Sequence, residues 1–162
     1  MSDRSAQLRQ ALIRNVHELT LERQQRDPLY DTRCASVSKG TLAGKLGAGY
    51  DILAPGKRGC PYHYHHAQEE MFVILEGHGS LRVAGEMVPV QAGDVVFIPP
   101  GPEYAHQFVN TSDTPLRFLS ISTQEEPEIC VYPDSGKYGA FANGFRGAQR
   151  TSANLDYWDG EP

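Results

Sequence analysis

A chain of 162 residues can bury a sizeable core without disulfides or metal as an obligatory staple, and it reads as one domain. Fifteen basic residues against twenty acidic ones give a net charge of −5 with no basic cluster, which excludes the electrostatic footprint of a nucleic-acid or anionic-membrane binder. Cys34, Cys60 and Cys130 are odd in number and widely spaced, so they read as reduced thiols of a cytoplasmic protein, each packed as a small hydrophobe. No apolar run reaches the length of a membrane span, and the first ten residues carry Asp3, Arg4 and Arg9 instead of an apolar signal core.

Residues 3–14 form the one good helical pattern near the start, with Leu8, Leu12 and Ile13 on one side. A short strand is expected over residues 16–23, before the break at Asp27-Pro28. Residues 42–56 carry Gly44, Gly47 and Gly49, but their spacing is not that of a dinucleotide loop and Lys45 is in no phosphate-loop arrangement, so strand and turn is the reading. Short strands then recur about every ten residues, over 80–83, 87–90, 94–98, 106–110 and 116–122, the rhythm of an all-β sandwich or barrel. Gly93 sits in a tight turn that calls for positive φ. The prolines at 99, 100 and 102 stop a strand, because proline cannot donate to a ladder. From residue 124 the chain turns polar and rich in Gly and Tyr; an irregular extension is expected, with a turn over 132–137 and Tyr157 and Trp158 as candidate anchors on the barrel or a neighbouring subunit.

The chemistry concentrates in residues 61–77. In an extended strand His63 and His65 share a face, roughly 7 Å apart at the backbone, while His66 points the other way. Glu70 heads the apolar run 71–75, and a carboxylate entering a core needs a partner, which a cation held by imidazoles supplies. A second segment, Gly93, Pro99, Gly101, His106 and Asn110, follows at fixed intervals. Together the segments resemble the paired motifs of the cupin superfamily. His63, His65, Glu70 and Gly77 match the first motif in residue and spacing, although its leading glycine has no counterpart at the right distance; the second motif matches with two extra residues between Gly101 and His106. The resemblance covers residues 42–123 and implies a double-stranded β-helix, a jelly-roll-like barrel, with residues 1–41 as a helix-and-strand extension and 124–162 as a C-terminal one. More narrowly, the segments around 61–72 and 132–137 resemble small single-domain microbial cupins of no settled activity.

Carried over residue by residue, the resemblance makes His63, His65, Glu70 and His106 the ligands of a divalent transition metal such as Fe, Mn, Zn or Ni. Three imidazoles and one carboxylate form a mixed N/O set that suits such ions and not Ca or Mg. Phe72 and Ile74, which share the parity of Glu70, and Phe108 are expected on the cavity wall. Cys60, of different parity from His63, reads as structural; Glu69 is the competing carboxylate, set aside because Glu70 has the family spacing and the parity of Phe72 and Ile74. His17, His66 and His78 read as exposed, and Arg82 and Arg117 as solvated, the alternative being a bidentate partner for a carboxylate or phosphate in the pocket. The functional expectation is a small-molecule enzyme of oxygenase, isomerase or lyase type; the alternative is a protein that binds a sugar, sugar phosphate or small acid without turnover. A homodimer is expected from the resemblance and from the apolar character of both faces of residues 71–75.

Overall fold

The computed structural model describes residues 3–161. Helix α1, Asp3–Leu12, places Asp3 in its first turn and Arg9 in its last, each where the helix dipole favours its charge. None of its residues is buried; just beyond it, the Arg14 guanidinium donates to the carbonyl of Gly40 at 2.7 Å and ties the segment to a loop. The strand expected over 16–23 is displaced. Val16–Glu18 forms a single 3-10 turn capped by Asn15, whose side-chain oxygen accepts from the His17 N–H at 3.0 Å, so the local side-chain partner diverts the backbone from a ladder. Strand β1 begins later, at Glu22–Arg26.

The strands that follow are β2 (Tyr30–Ser36), β3 (Leu46–Leu53), β4 (Tyr64–His65), β5 (Glu70–Glu76), β6 (His78–Val83), β7 (Glu86–Gln91), β8 (Val95–Ile98), β9 (His106–Val109) and β10 (Leu116–Thr123). After them come β11 (Glu128–Tyr132), β12 (Lys137–Ala142) and β13 (Phe145–Arg150). Hydrogen bonding joins them into a six-stranded sheet in the order β1-β2-β3-β10-β5-β8, a three-stranded sheet β7-β6-β9 and a four-stranded sheet β13-β12-β11-β4. Each pairing is antiparallel. Among the described residues no sheet closes on itself as a barrel; an isolated bridge between His63 and His106 joins the strand segments that carry the site.

The period-two alternation explains the core. Leu53, Phe72, Ile74, Leu81, Val90, Ile98, Phe108, Leu116 and Phe118 point inward from seven strands and pack together. Their odd neighbours Met71 and Val73 face outward, partly covered, beside the exposed Val95 and Phe97 of β8. Gly77 turns the chain from β5 to β6 at φ +86°, and a Cβ there would stand 2.5 Å from the carbonyl oxygen of Pro115, so the position admits only glycine. Gly93 turns between β7 and β8 at φ +96°, as expected.

The C-terminal extension is not irregular. β11, β12 and β13 form an antiparallel meander whose edge pairs with β4, Cys130 opposite His65 and Val131 opposite Tyr64. The frequent glycines hide this in the sequence, because the strand-forming residues Ile129, Val131, Tyr138 and Phe141 are scattered between them. The turn expected over 132–137 is present as the 3-10 turn Pro133–Ser135, ended by Gly136 in the left-handed region. Its Asp134 receives both guanidinium nitrogens of Arg82, at 2.6 and 3.0 Å, and Arg82 lies 3.9 Å over the ring of Tyr62. Tyr157 and Trp158 pack on each other and are otherwise largely exposed.

Candidate metal centre

Strand pairing brings the four expected ligands to one place. His63 and His106 exchange both backbone hydrogen bonds, at 3.1 and 2.7 Å, which sets the start of β9 beside the His-rich segment. β4 carries His65, and Glu70 opens β5. One carboxylate oxygen, Glu70 Oε2, then lies 2.9 Å from His106 Nε2, 3.5 Å from His65 Nε2 and 3.8 Å from His63 Nε2.

The other ring nitrogens are all engaged. His63 Nδ1 donates to the carbonyl of Pro61 at 2.9 Å, His106 Nδ1 to that of Tyr104 at 3.1 Å, and His65 Nδ1 to the Glu128 carboxylate at 3.2 Å. Three acceptors at Nδ1 fix the tautomer, so each Nε2 presents a lone pair toward Glu70. Glu70 Oε2 and His106 Nε2 are both buried, and neither has a hydrogen-bond partner. Two orphaned acceptor atoms facing each other are costly unless a cation lies between them. The residues therefore fit a transition-metal ion.

Electrostatics agree. Burial, helped by His106, pushes the His63 imidazole down to about 4, so it is neutral and ready to ligate at ordinary pH. Burial alone would raise the Glu70 carboxyl, but His106, His65 and His63 outweigh it and hold it below the usual carboxylate range. His63, Glu70 and His106 form one cluster of donor atoms within 4.8 Å of one another, and His63, His65 and Cys130 form a second. Burial pushes the Cys130 thiol up to about 11, which keeps it neutral and favours the carboxylate-bearing set.

The cluster faces an open cavity of about 1060 Å³ lined by strands of the six-stranded sheet, by β9, by the segment 58–63 and by Asp134, Ser135 and Lys137. Phe72 and Phe108 stand on its wall with Phe118, whereas Ile74 lies in the core, 1% exposed. Cys60 also lines it, its Sγ 3.6 Å from His63 Nδ1. Glu69, His17, His66 and His78 are exposed. Arg117 pairs with Glu76 at 3.0 Å on the outside.

Sequence reasoning missed Glu128, which is 2% exposed and accepts not only from His65 but also from the backbone N–H groups of His66, Ala67 and Gln68, at 3.0, 2.9 and 2.8 Å. The signal was available: like Glu70, Glu128 heads a short β-prone run, here Ile-Cys-Val-Tyr. It missed Cys130 and the cavity-lining Asp51 as well.

Comparison with known proteins places the fold. The family pattern described as Cupin domain matches residues 49–122. Over 70% of its length the chain superposes on the whole of a predicted oxalate decarboxylase from Thermotoga maritima, with a TM-score of 0.62 and 30% identity. The chain belongs to the cupin superfamily. A cupin sugar phosphate isomerase from Silicibacter pomeroyi superposes with a TM-score of 0.71 and 25% identity, over 79% of this cupin and 82% of that chain. Glucose-6-phosphate isomerase of Pyrococcus abyssi is 38% identical over 98 residues, 53% of this chain and 51% of that one. This cupin spans about half the length of the curated relatives it matches.

Proposed function

We propose that this cupin is a metal-dependent isomerase of phosphorylated sugars, with His63, His65, Glu70 and His106 as the metal ligands. The observation that carries the reading is the convergence of three imidazole Nε2 atoms on Glu70 Oε2 at the wall of a cavity that is also lined by Arg26, Arg58 and Lys137. An ion bound by that set polarises a substrate oxygen. Cationic side chains along the same cavity offer the charge and donors that a phosphate needs. The likeness to sugar phosphate isomerases supports this choice among the oxygenase, isomerase and lyase chemistries open to the site. Phe72, Phe108 and Phe118 supply the apolar wall that lowers the local dielectric.

The likeness to a predicted oxalate decarboxylase supports a second reading, a small dicarboxylate held on the ion without turnover. Protein reconstituted with Mn, Fe, Zn or Ni and offered a panel of aldose and ketose phosphates separates the two. Interconversion of an aldose–ketose pair establishes the isomerase; stoichiometric binding of oxalate with no product across the panel establishes the binding protein.

A homodimer belongs to the same reading. Met71 and Val73 on β5, Leu119 and Ile121 on β10 and the exposed Val95 and Phe97 on β8 lie side by side on the outer face of the six-stranded sheet, a patch suited to a second copy. Sedimentation of wild type beside Phe97→Glu tests it: a dimer that the variant dissociates is the expected result.

A further inference from the structure

Asp51 has no part in the metal cluster, yet it stands in the wall of the same cavity. It lies on β3, inward-facing between Gly49 and Leu53, directly opposite Phe118 of β10 and Cys34 of β2. Its one recorded hydrogen bond comes from Ser120, whose hydroxyl donates to Oδ2 at 2.8 Å. Among the described residues no cation is paired with it. The groups that face it are Ser120 and Phe118 from β10, the Cys34 thiol from β2 and, across the cavity wall, Cys60.

The surroundings are shaped for this carboxyl. A Cβ added at Gly49 would stand 2.6 Å from Ser120 Oγ and 3.5 Å from Asp51 Oδ2, so the absence of a side chain there makes the room in which the two meet. A carboxyl in an apolar wall with one hydroxyl partner and no counter-ion costs the fold stability and packs nothing that a leucine would not pack better. Such groups cluster where protons are moved.

Resting on the isomerase reading above, we propose that Asp51 is the catalytic acid–base of the cavity, carrying a proton between adjacent carbons of the sugar phosphate. The carboxylate takes the proton from C2 of an aldose; the C–H electron pair becomes the C1–C2 double bond while the carbonyl pair moves onto O1. The proton on O2 passes to O1. As the C2 carbonyl forms, the carboxylic acid returns its proton to C1. One hydrogen has moved between carbons and one between oxygens, and no oxidant or reductant is consumed. Burial pushes Asp51 up to about 6 against the opposing hydrogen bond from Ser120, so at neutral pH it is a carboxylate of raised basicity. Ser120 is a positioning residue that holds Oδ2.

The test is a kinetic comparison of metal-loaded wild type, Asp51→Asn and Ser120→Ala on the aldose–ketose pair that wild type interconverts, with deuterium uptake from solvent into the sugar and metal content measured for each. Asp51→Asn is expected to lose about 100-fold or more in kcat and in deuterium uptake while KM and metal content stay near wild type. Ser120→Ala is expected to remain active with the acidic limb of its kcat profile moved to higher pH, a readout that a structural role alone would not shift. An active wild type whose kcat and pH profile survive Asp51→Asn overturns the assignment and leaves the isomerase reading intact. A metal-loaded wild type that neither interconverts nor exchanges any sugar phosphate overturns both.

Discussion

His65 and Glu128, 63 residues apart in the chain, are joined by a hydrogen bond of 3.2 Å from the imidazole Nδ1 to a carboxylate that three consecutive backbone N–H groups also grip. The contact sets the tautomer of His65 and, through the same carboxylate, the path of the chain from β4 to β5. A carboxylate behind a ligating imidazole raises ligand basicity, and removing such a partner weakens metal affinity by about 10–100-fold. Glu128→Gln keeps the shape and an acceptor oxygen but loses the charge, and is expected to fall in that range by competition against a chelator. Glu128→Ala leaves three donors, His65 Nδ1 and the Ala67 and Gln68 N–H groups, without their acceptor, the His66 N–H keeping the Ile129 carbonyl, and should in addition lower the thermal midpoint, by about 2–4 kcal/mol of stability.

Removing a ligand acts on the ion directly. His106→Ala and Glu70→Gln each take away one of the two buried atoms that face each other at 2.9 Å. Elemental analysis of protein purified without chelator should show about one equivalent of transition metal per chain in wild type and little in either variant.

Asp51 makes stability depend on pH in a direction opposite to that of an ion-paired carboxylate. Its folded value, about 6, lies above the ordinary one of 3.8, so the folded chain holds its proton more tightly than the unfolded chain does. The resulting stabilisation is fully present below pH 3.8 and is lost as pH rises through 6. At 1.36 kcal/mol per pH unit the difference is on the order of 2–3 kcal/mol. His63, depressed to about 4, works the other way: its contribution is present above 6.5 and is lost as pH falls toward 4. The clean measurement is therefore the difference between wild type and Asp51→Asn in denaturant midpoints across pH 4–8, in which the His63 contribution cancels. The variant should gain relative to wild type as pH rises.

Gly77→Ala tests the turn that closes β5 onto β6. A methyl group would have to occupy space 2.5 Å from Pro115 O while the backbone stays at φ +86°. The strain and the clash together are expected to cost about 2–4 kcal/mol, read as a lowered urea midpoint. Gly93→Ala, with positive φ but open space around it, should cost only about 1 kcal/mol.

The cupin core was legible because its information is local. His63, His65 and Glu70 lie within eight consecutive residues, Gly93 and Pro99 punctuate the next turn, and period-two alternation assigns Phe72 and Phe108 to the inside. What escaped depends on pairing between distant segments. The meander from β11 to β13 is stitched by Gly-rich strands whose local preference for extended structure is weak, and it has its place only because β4 offers an edge. Asp51 lay unremarked in the stretch 42–56 read as strand and turn, since nothing in the sequence shows that Ser120 will reach it from β10. The strand expected at 16–23 failed for a reason one residue wide, the cap supplied by Asn15.

The position of Glu128 along the chain also orders events during synthesis. All four proposed ligands have been made once residue 106 leaves the ribosome, but the carboxylate that orients His65 arrives 22 residues later, and β11 can pair with β4 only after that. At a translation rate of about 5–20 residues per second, the nascent chain spends on the order of seconds with its imidazoles present and one of them unaligned. On the proposed ligand set, tight ion capture is thereby deferred until β11 has been made.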